Sequence, residues 1–467
     1  MAMRKQKGWI VVLVITLMLS LCACKWDRGS SDGSATGIIG GSDGPTSVLV
    51  GENSQDTTGG NASTEAVVGT EGESSGAGEG NIAGIEGETA GTGEATEPGT
   101  DIEPEEVYDE SIPLQNNTYT PSEEVMKLLG RAAFLEDTLW MVHSASGAEF
   151  QFVGTKAVIT LQGDSSAYSG SSNAARVGIF VNGEFVTDVM MDKKEKTVTV
   201  WESEKLKNCI VTVVKLSESP HSTVGIKSIE VESEAGIVPT AQKEYYIEFI
   251  GDSITCGYGA DDEVKEHHFS TSTENAAKTY AYKTAQALDA DYSFVSFSGY
   301  GIVSGYSGDG QKYGEQVLSK YYEKLGFSYG NYLGQTPYDT EWDFEKRQPD
   351  LIVINLGTND ESYTGTDQAR RDEYIIGYVA FLKQVRAKNP DAMIFCTLGI
   401  MGDGLYSSLQ TAVEQYQRET GDEMVHTMRF AVQSMSDGIA ADWHPSEKTH
   451  AKAAQKLVKE IQSVMGW

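Results

Sequence analysis

Cysteine is scarce in this 467-residue chain: Cys22 and Cys24 fall near the start, and Cys209, Cys256 and Cys396 lie far apart. Three widely spaced thiols, odd in number, exclude a disulfide framework and match no metal-ligand spacing. Basic side chains are also short, 36 Lys and Arg against 68 Asp and Glu. The formal net charge of −32 is the wrong sign for nucleic acid or anionic lipid headgroups. Histidine numbers seven, and no His/Asp/Glu group has metal spacing, so no cofactor is implied.

Long apolar runs are missing except at the N-terminus. Arg4, Lys5 and Lys7 precede an apolar stretch from Trp9 to Leu21, a positive region followed by a segment short for a membrane span. It ends in Leu21-Cys22-Ala23-Cys24, which resembles a bacterial lipobox. Residues 1–24 are therefore expected to be a lipoprotein signal peptide with Cys24 as the lipidated mature N-terminus. The protein would then be held on the outer face of the cytoplasmic membrane by its lipid alone, at the cell surface.

The acidity is uneven. Residues 25–120 carry 19 acidic and 2 basic side chains amid Gly, Ser and Thr. Such a stretch cannot bury enough surface to offset its ordering entropy, so it is expected to be a disordered, self-repelling tether. The segment Gly37-Ile38-Ile39-Gly40-Gly41-Ser42-Asp43-Gly44-Pro45-Thr46 within it has no functional account.

Residues 121–240 read as all-β. Short apolar runs recur at Phe150–Val153, Ala157–Leu161, Val177–Val181, Val198–Trp201 and Ile210–Val214, and Asn182-Gly183 marks a hairpin. The spacing suits a β-sandwich of jelly-roll type, serving either as a glycan-binding domain or as a packing partner. From 241 to 467 strands alternate with helices, which implies a parallel sheet covered on both faces. One helix carries Tyr374, Tyr378, Phe381 and Val385 on one face, and the long stretch from Val303 to Pro349 is expected to shape a site rim.

Chemistry concentrates at the strand ends of this second region. Tyr245–Ile250 is a short apolar run ending in Gly251-Asp252-Ser253-Ile254-Thr255. Leu351–Leu356 ends in Gly357-Thr358-Asn359-Asp360, and Asp442-Trp443-His444-Pro445-Ser446 precedes a C-terminal helix. Open α/β sheets place ligands at such strand ends, and acyl transfer by serine needs a base and oxyanion donors. Any one block is weak; their order is what counts.

Taken together, the blocks resemble the SGNH (GDSL-type) hydrolases, with Ser253, Gly301, Asn359 and His444 as the four namesake residues. The wording IEFIGDSITCGYG, SFSGYG, EWDFEKRQPDLIVINLGTND and ADWHPS resembles carbohydrate esterase family 2, over about the last 340 residues. The resemblance implies an α/β, flavodoxin-like three-layer hydrolase domain behind a β-sandwich. It implies a serine esterase that removes O-acetyl groups from plant polysaccharides (xylan, mannan or glucomannan) through an acetyl-enzyme. Ser253 would be the nucleophile and His444 the base. The oxyanion would be held by the N–H groups of Ser253 and Gly301 and by the Asn359 amide, with Gly299 as the other glycine that could donate. Many SGNH enzymes carry an aspartate three residues before the histidine, where this chain has Ala441. Either Asp442 orients His444 or a backbone carbonyl does. Trp443 would offer an aromatic face to a sugar ring, or belong to the core. His267, His268 and His450 read as solvated or structural. A lipase or thioesterase of the same superfamily, and a non-catalytic glycan-binding lipoprotein, are the competing readings.

Overall fold

In a computed structural model the described residues are Tyr108, 111–170 and 172–467. The signal segment with Cys24, the 37–46 segment and most of the acidic tether lie outside them. Among the described residues no helix is long and apolar enough to cross a membrane.

The tether reading needs correction at its C-terminal end. Gln115–Tyr119 is a strand, antiparallel to Ile229–Ser233. Its sequence Gln-Asn-Asn-Thr-Tyr is polar because the strand lies mainly exposed, held by main-chain pairing, with Tyr119 packing on the β-domain core. An edge strand of this kind leaves no apolar alternation to read.

The β domain is an antiparallel ten-stranded sheet. Four of the five runs expected as separate strands merge into two long ones, Gly147–Gly163 and Glu195–Lys215, which pair along nearly their whole length, while Val177–Val181 keeps a strand of its own. Register shifts at Gly154/Lys156 and Ala157/Val158 let each strand continue through residues that break the apolar pattern. The Asn182-Gly183 hairpin is present, both residues with positive φ, as a two-residue turn between right-twisted strands requires.

The second domain holds five parallel strands in the order 290–296, 245–251, 351–355, 393–400 and 425–432. Helices Tyr280–Ala287 and Glu447–Met465 cover one face. Helices Gln368–Lys388 and Tyr406–Thr420 cover the other. Tyr374, Tyr378, Phe381 and Val385 are all buried on helix Gln368–Lys388, as their spacing predicts. Strand order reverses beside 245–251, so the crevice expected at a topological switch point opens at the carboxyl end of that strand.

The two domains share a core. Leu129, Val214 and Leu216 of the β domain pack in the same cluster as Ile247, Phe249 and Tyr280. The fully buried Arg131 reaches across to donate to the Tyr322 carbonyl (2.5 Å), the Lys324 carbonyl (2.9 Å) and the Glu248 carboxylate (3.2 Å). The long 303–349 stretch is fastened to the β domain as well, by Tyr329 N–H on the Pro220 carbonyl and by Trp140 stacked on Tyr332 at 4.6 Å.

Candidate active site

Strand 245–251 ends at Gly251, and Asp252 caps the single-turn helix Ser253–Cys256 by accepting from Ile254 N–H at 3.0 Å. That cap holds Ser253 at the start of the turn, buried, with its own amide drawn into no hydrogen bond among the described residues. Burial pushes the Asp252 carboxyl up to about 7.

Ser253 Oγ lies 2.9 Å from His444 Nε2. The other ring nitrogen, Nδ1, sits 3.2 Å from the Ala441 carbonyl and 3.1 Å from the Asp442 carbonyl. A carbonyl only accepts, so Nδ1 carries the proton and Nε2 is the free base facing the serine hydroxyl. Burial lowers the imidazole to about 4, opposed by the Asp442 charge and the two carbonyls.

An unusual turn brings those carbonyls to the ring. Asp442 (φ 49°, ψ 39°) and Trp443 (φ 61°) are consecutive left-handed residues, a conformation costly for a bulky side chain. The turn is held by Ala441 N–H on the Asp262 carbonyl and Asp442 N–H on the His267 carbonyl. Gly259 lets the loop after the serine approach this turn: a Cβ there would stand 2.7 Å from the Ala441 Cβ.

The Asp442 carboxylate is not on His444. Its oxygens accept from Tyr258 hydroxyl (2.5 Å), Phe269 N–H (2.9 Å) and the exposed His268 Nδ1 (2.9 Å). Tyr258 in turn stacks on the His444 ring, centroids 3.9 Å apart. The side chain of Asp442 thus acts on His444 only through space and through Tyr258. Asp442→Asn, which keeps a residue tolerant of left-handed backbone, is expected to lower kcat by about tenfold or less. Steady-state kinetics on a small aryl acetate checks this; a loss of three orders of magnitude would mean the carboxylate orients the imidazole.

Gly301 does not stand where the block order puts it. Its N–H donates to the Gln316 carbonyl at 3.1 Å, and a Cβ there would meet the Ser304 carbonyl and the Asp360 carboxylate. It serves a turn that Asp360 clamps by accepting from Ile302, Val303 and Ser304 N–H groups. Gly299, with φ 79°, lies three residues past the end of strand 290–296, and its amide makes no hydrogen bond among the described residues. Asn359 is fully buried at the start of the helix after strand 351–355. Its Nδ2 donates to the Tyr300 carbonyl at 2.8 Å and, at a looser 3.3 Å, to Asp252.

Trp443 is half-buried against the core, and Lys265 Nζ lies 4.1 Å from its ring centroid. His450 is a buried structural residue, its Nδ1 accepting from Tyr280 N–H. His267 is exposed beside Asp262. Glu218, Cys256 and Glu274 bring three buried ligand-type atoms within 4.8 Å of one another, a group no sequence spacing indicates. Burial and the neighbouring Glu218 push the Glu274 carboxyl well up, with the buried Lys215 opposing the shift, and burial keeps the Cys256 thiol protonated.

Known proteins share this architecture. Residues 249–452 match the GDSL-like lipase/acylhydrolase family, and residues 128–240 match the carbohydrate esterase 2 N-terminal domain. The chain carries a GDSL-like lipase/acylhydrolase domain behind a carbohydrate esterase 2 N-terminal domain. It is 32% identical over 328 residues to a cellulase/esterase of Acetivibrio thermocellus, covering 69% of this chain but only 37% of that protein's length. An acetylxylan esterase/glucomannan deacetylase of Cellvibrio japonicus is 27% identical over 77% of this chain and 94% of its own. The solved structure of an acetyl xylan esterase from Butyrivibrio proteoclasticus superposes with a TM-score of 0.69 at 26% identity, over 76% of this chain and 99% of the other.

Proposed function

We propose that this GDSL-type hydrolase is a serine esterase that releases acetate from O-acetylated polysaccharide of the xylan or glucomannan class. The observation that carries the reading is the Ser253–His444 pair at 2.9 Å, with the histidine tautomer set by two backbone carbonyls. Ser253 Oγ attacks the acetyl carbonyl while His444 Nε2 takes the hydroxyl proton. The Ser253 and Gly299 amides and the Asn359 side chain face the oxyanion, the Asn359 N–H turning from its loose bond to Asp252. The imidazolium returns its proton to the departing sugar oxygen, and water then releases acetate by the same steps in reverse order. This is a dyad whose orienting group is main chain.

The substrate class rests on the named activities of similar proteins, acetylxylan esterase and glucomannan deacetylase. Lipidation at Cys24 and display at the cell surface rest on the N-terminal sequence pattern alone, and fit a polymer substrate that cannot enter a cell. An acetate-release panel over acetylated xylan, glucomannan and mannan tests the class, beside p-nitrophenyl acetate against the butyrate ester. We expect release from at least one polymer and an acetate-over-butyrate preference of about tenfold or more in kcat/KM, the discrimination that a site too short for two further methylenes provides. Butyrate or longer esters cleaved faster than acetate, with no release from polymer, would favour a lipase or thioesterase.

A further inference from the structure

The oxyanion loop after strand 290–296 is gripped from outside its own domain. The loop Leu216–Thr223, between two strands of the β domain, crosses to the hydrolase and buries Glu218 to 1% exposure. Its first residues are fastened to the hydrolase at two points: the Leu216 carbonyl accepts from Ala276 N–H at 3.0 Å, and Glu218 N–H donates to the Glu274 carboxylate at 2.9 Å. The Glu218 carboxylate then accepts from Ser298 N–H at 2.7 Å and lies 3.6 Å from Cys256 Sγ, three residues past the nucleophile.

Ser298 is the residue before Gly299, and Tyr300 is the one after. The Tyr300 carbonyl accepts from Asn359 Nδ2 at 2.8 Å. A three-residue segment is therefore pinned at one end by Glu218 and at the other by Asn359. The unengaged Gly299 amide stands between the pins.

We propose that Glu218, supplied by the β-sandwich domain, is a positioning residue for acyl transfer, fixing Ser298 so that the Gly299 amide faces the oxyanion. The inference rests on the serine-esterase reading above. It also gives the β domain a role in the reaction, separate from any glycan it holds. A donor misplaced by even an ångström loses much of its value, because its stabilisation is realised only at the developing charge.

The full chain should be compared as parent, Glu218→Ala, Glu218→Gln and Glu218→Asp, on p-nitrophenyl acetate, with thermal melting measured for each. Gln keeps an acceptor oxygen at the same reach; Asp keeps the charge but is one methylene short. Glu218→Ala and Glu218→Asp should lower kcat by about a hundredfold with KM changed less than about threefold, as loss of an oxyanion donor does. Glu218→Gln should recover to within about tenfold of the parent. A purely structural role would move melting and kcat together, and Gln would not rescue kcat selectively. Should Glu218→Ala fail to fold, Glu218→Asp decides. A folded Ala or Asp variant with near-parent kcat overturns the inference, and so does a Gln variant as damaged as Ala. Ser253→Ala, run alongside, separates the two readings: a fully active Ser253→Ala protein sinks the esterase mechanism itself, whereas an inactive one with undamaged Glu218 variants sinks only the positioning role.

Discussion

Ser253→Ala should leave a folded protein whose kcat on p-nitrophenyl acetate has dropped on the order of a millionfold. The hydroxyl stands 2.9 Å from the His444 imidazole, on a turn fixed by the Asp252 cap and not by the serine side chain. Its removal takes one hydrogen bond and leaves His444 stacked on Tyr258. Melting should therefore stay within a few degrees of the parent, since a single neutral hydrogen bond contributes only about 1 kcal/mol net. Retention of more than a few per cent of the activity by the folded variant would remove the serine mechanism.

His444→Ala should cost nearly as much, and adding it to Ser253→Ala should cost almost nothing further, because nucleophile and base act as one unit. The parent enzyme carries a second signature of this histidine. Only neutral imidazole can take the serine proton, and burial holds the ring down to about 4. The acid limb of kcat/KM should accordingly fall near pH 4, with activity level from neutral pH to about 5. An acid limb centred at pH 6.5 or above would mean that the imidazole titrates as a solvated group, which the buried dyad does not allow.

Some of this protein is written locally. Gly251-Asp252-Ser253 at the end of an apolar run, and Gly357-Thr358-Asn359 at the end of another, announce their positions because strand ends, caps and tight turns are set by residues close in sequence. The buried face of helix Gln368–Lys388 and the Asn182-Gly183 hairpin are legible for the same reason: their period or turn type is a property of a few neighbouring residues. The strand at 115–119 was not legible, since a polar edge strand is held by its partner's main chain and shows no pattern of its own.

The sequence by itself determined the order of the chemical blocks and the likeness to GDSL-type hydrolases, and it singled out Ser253, Asn359 and His444. Which glycine has a free amide was decided only when Gln316, fifteen residues beyond Gly301, took that glycine's N–H and left Gly299 open. Which group faces His444 Nδ1 was likewise decided by tertiary contact. Tyr258 and Phe269 occupy the Asp442 carboxylate, and two left-handed residues turn backbone carbonyls onto the imidazole in its place. Glu218 was wholly hidden, an acidic residue in a polar loop of another domain. Hydrogen-bond partners distant in the chain are chosen by how the domains pack, and no short stretch of sequence encodes that choice.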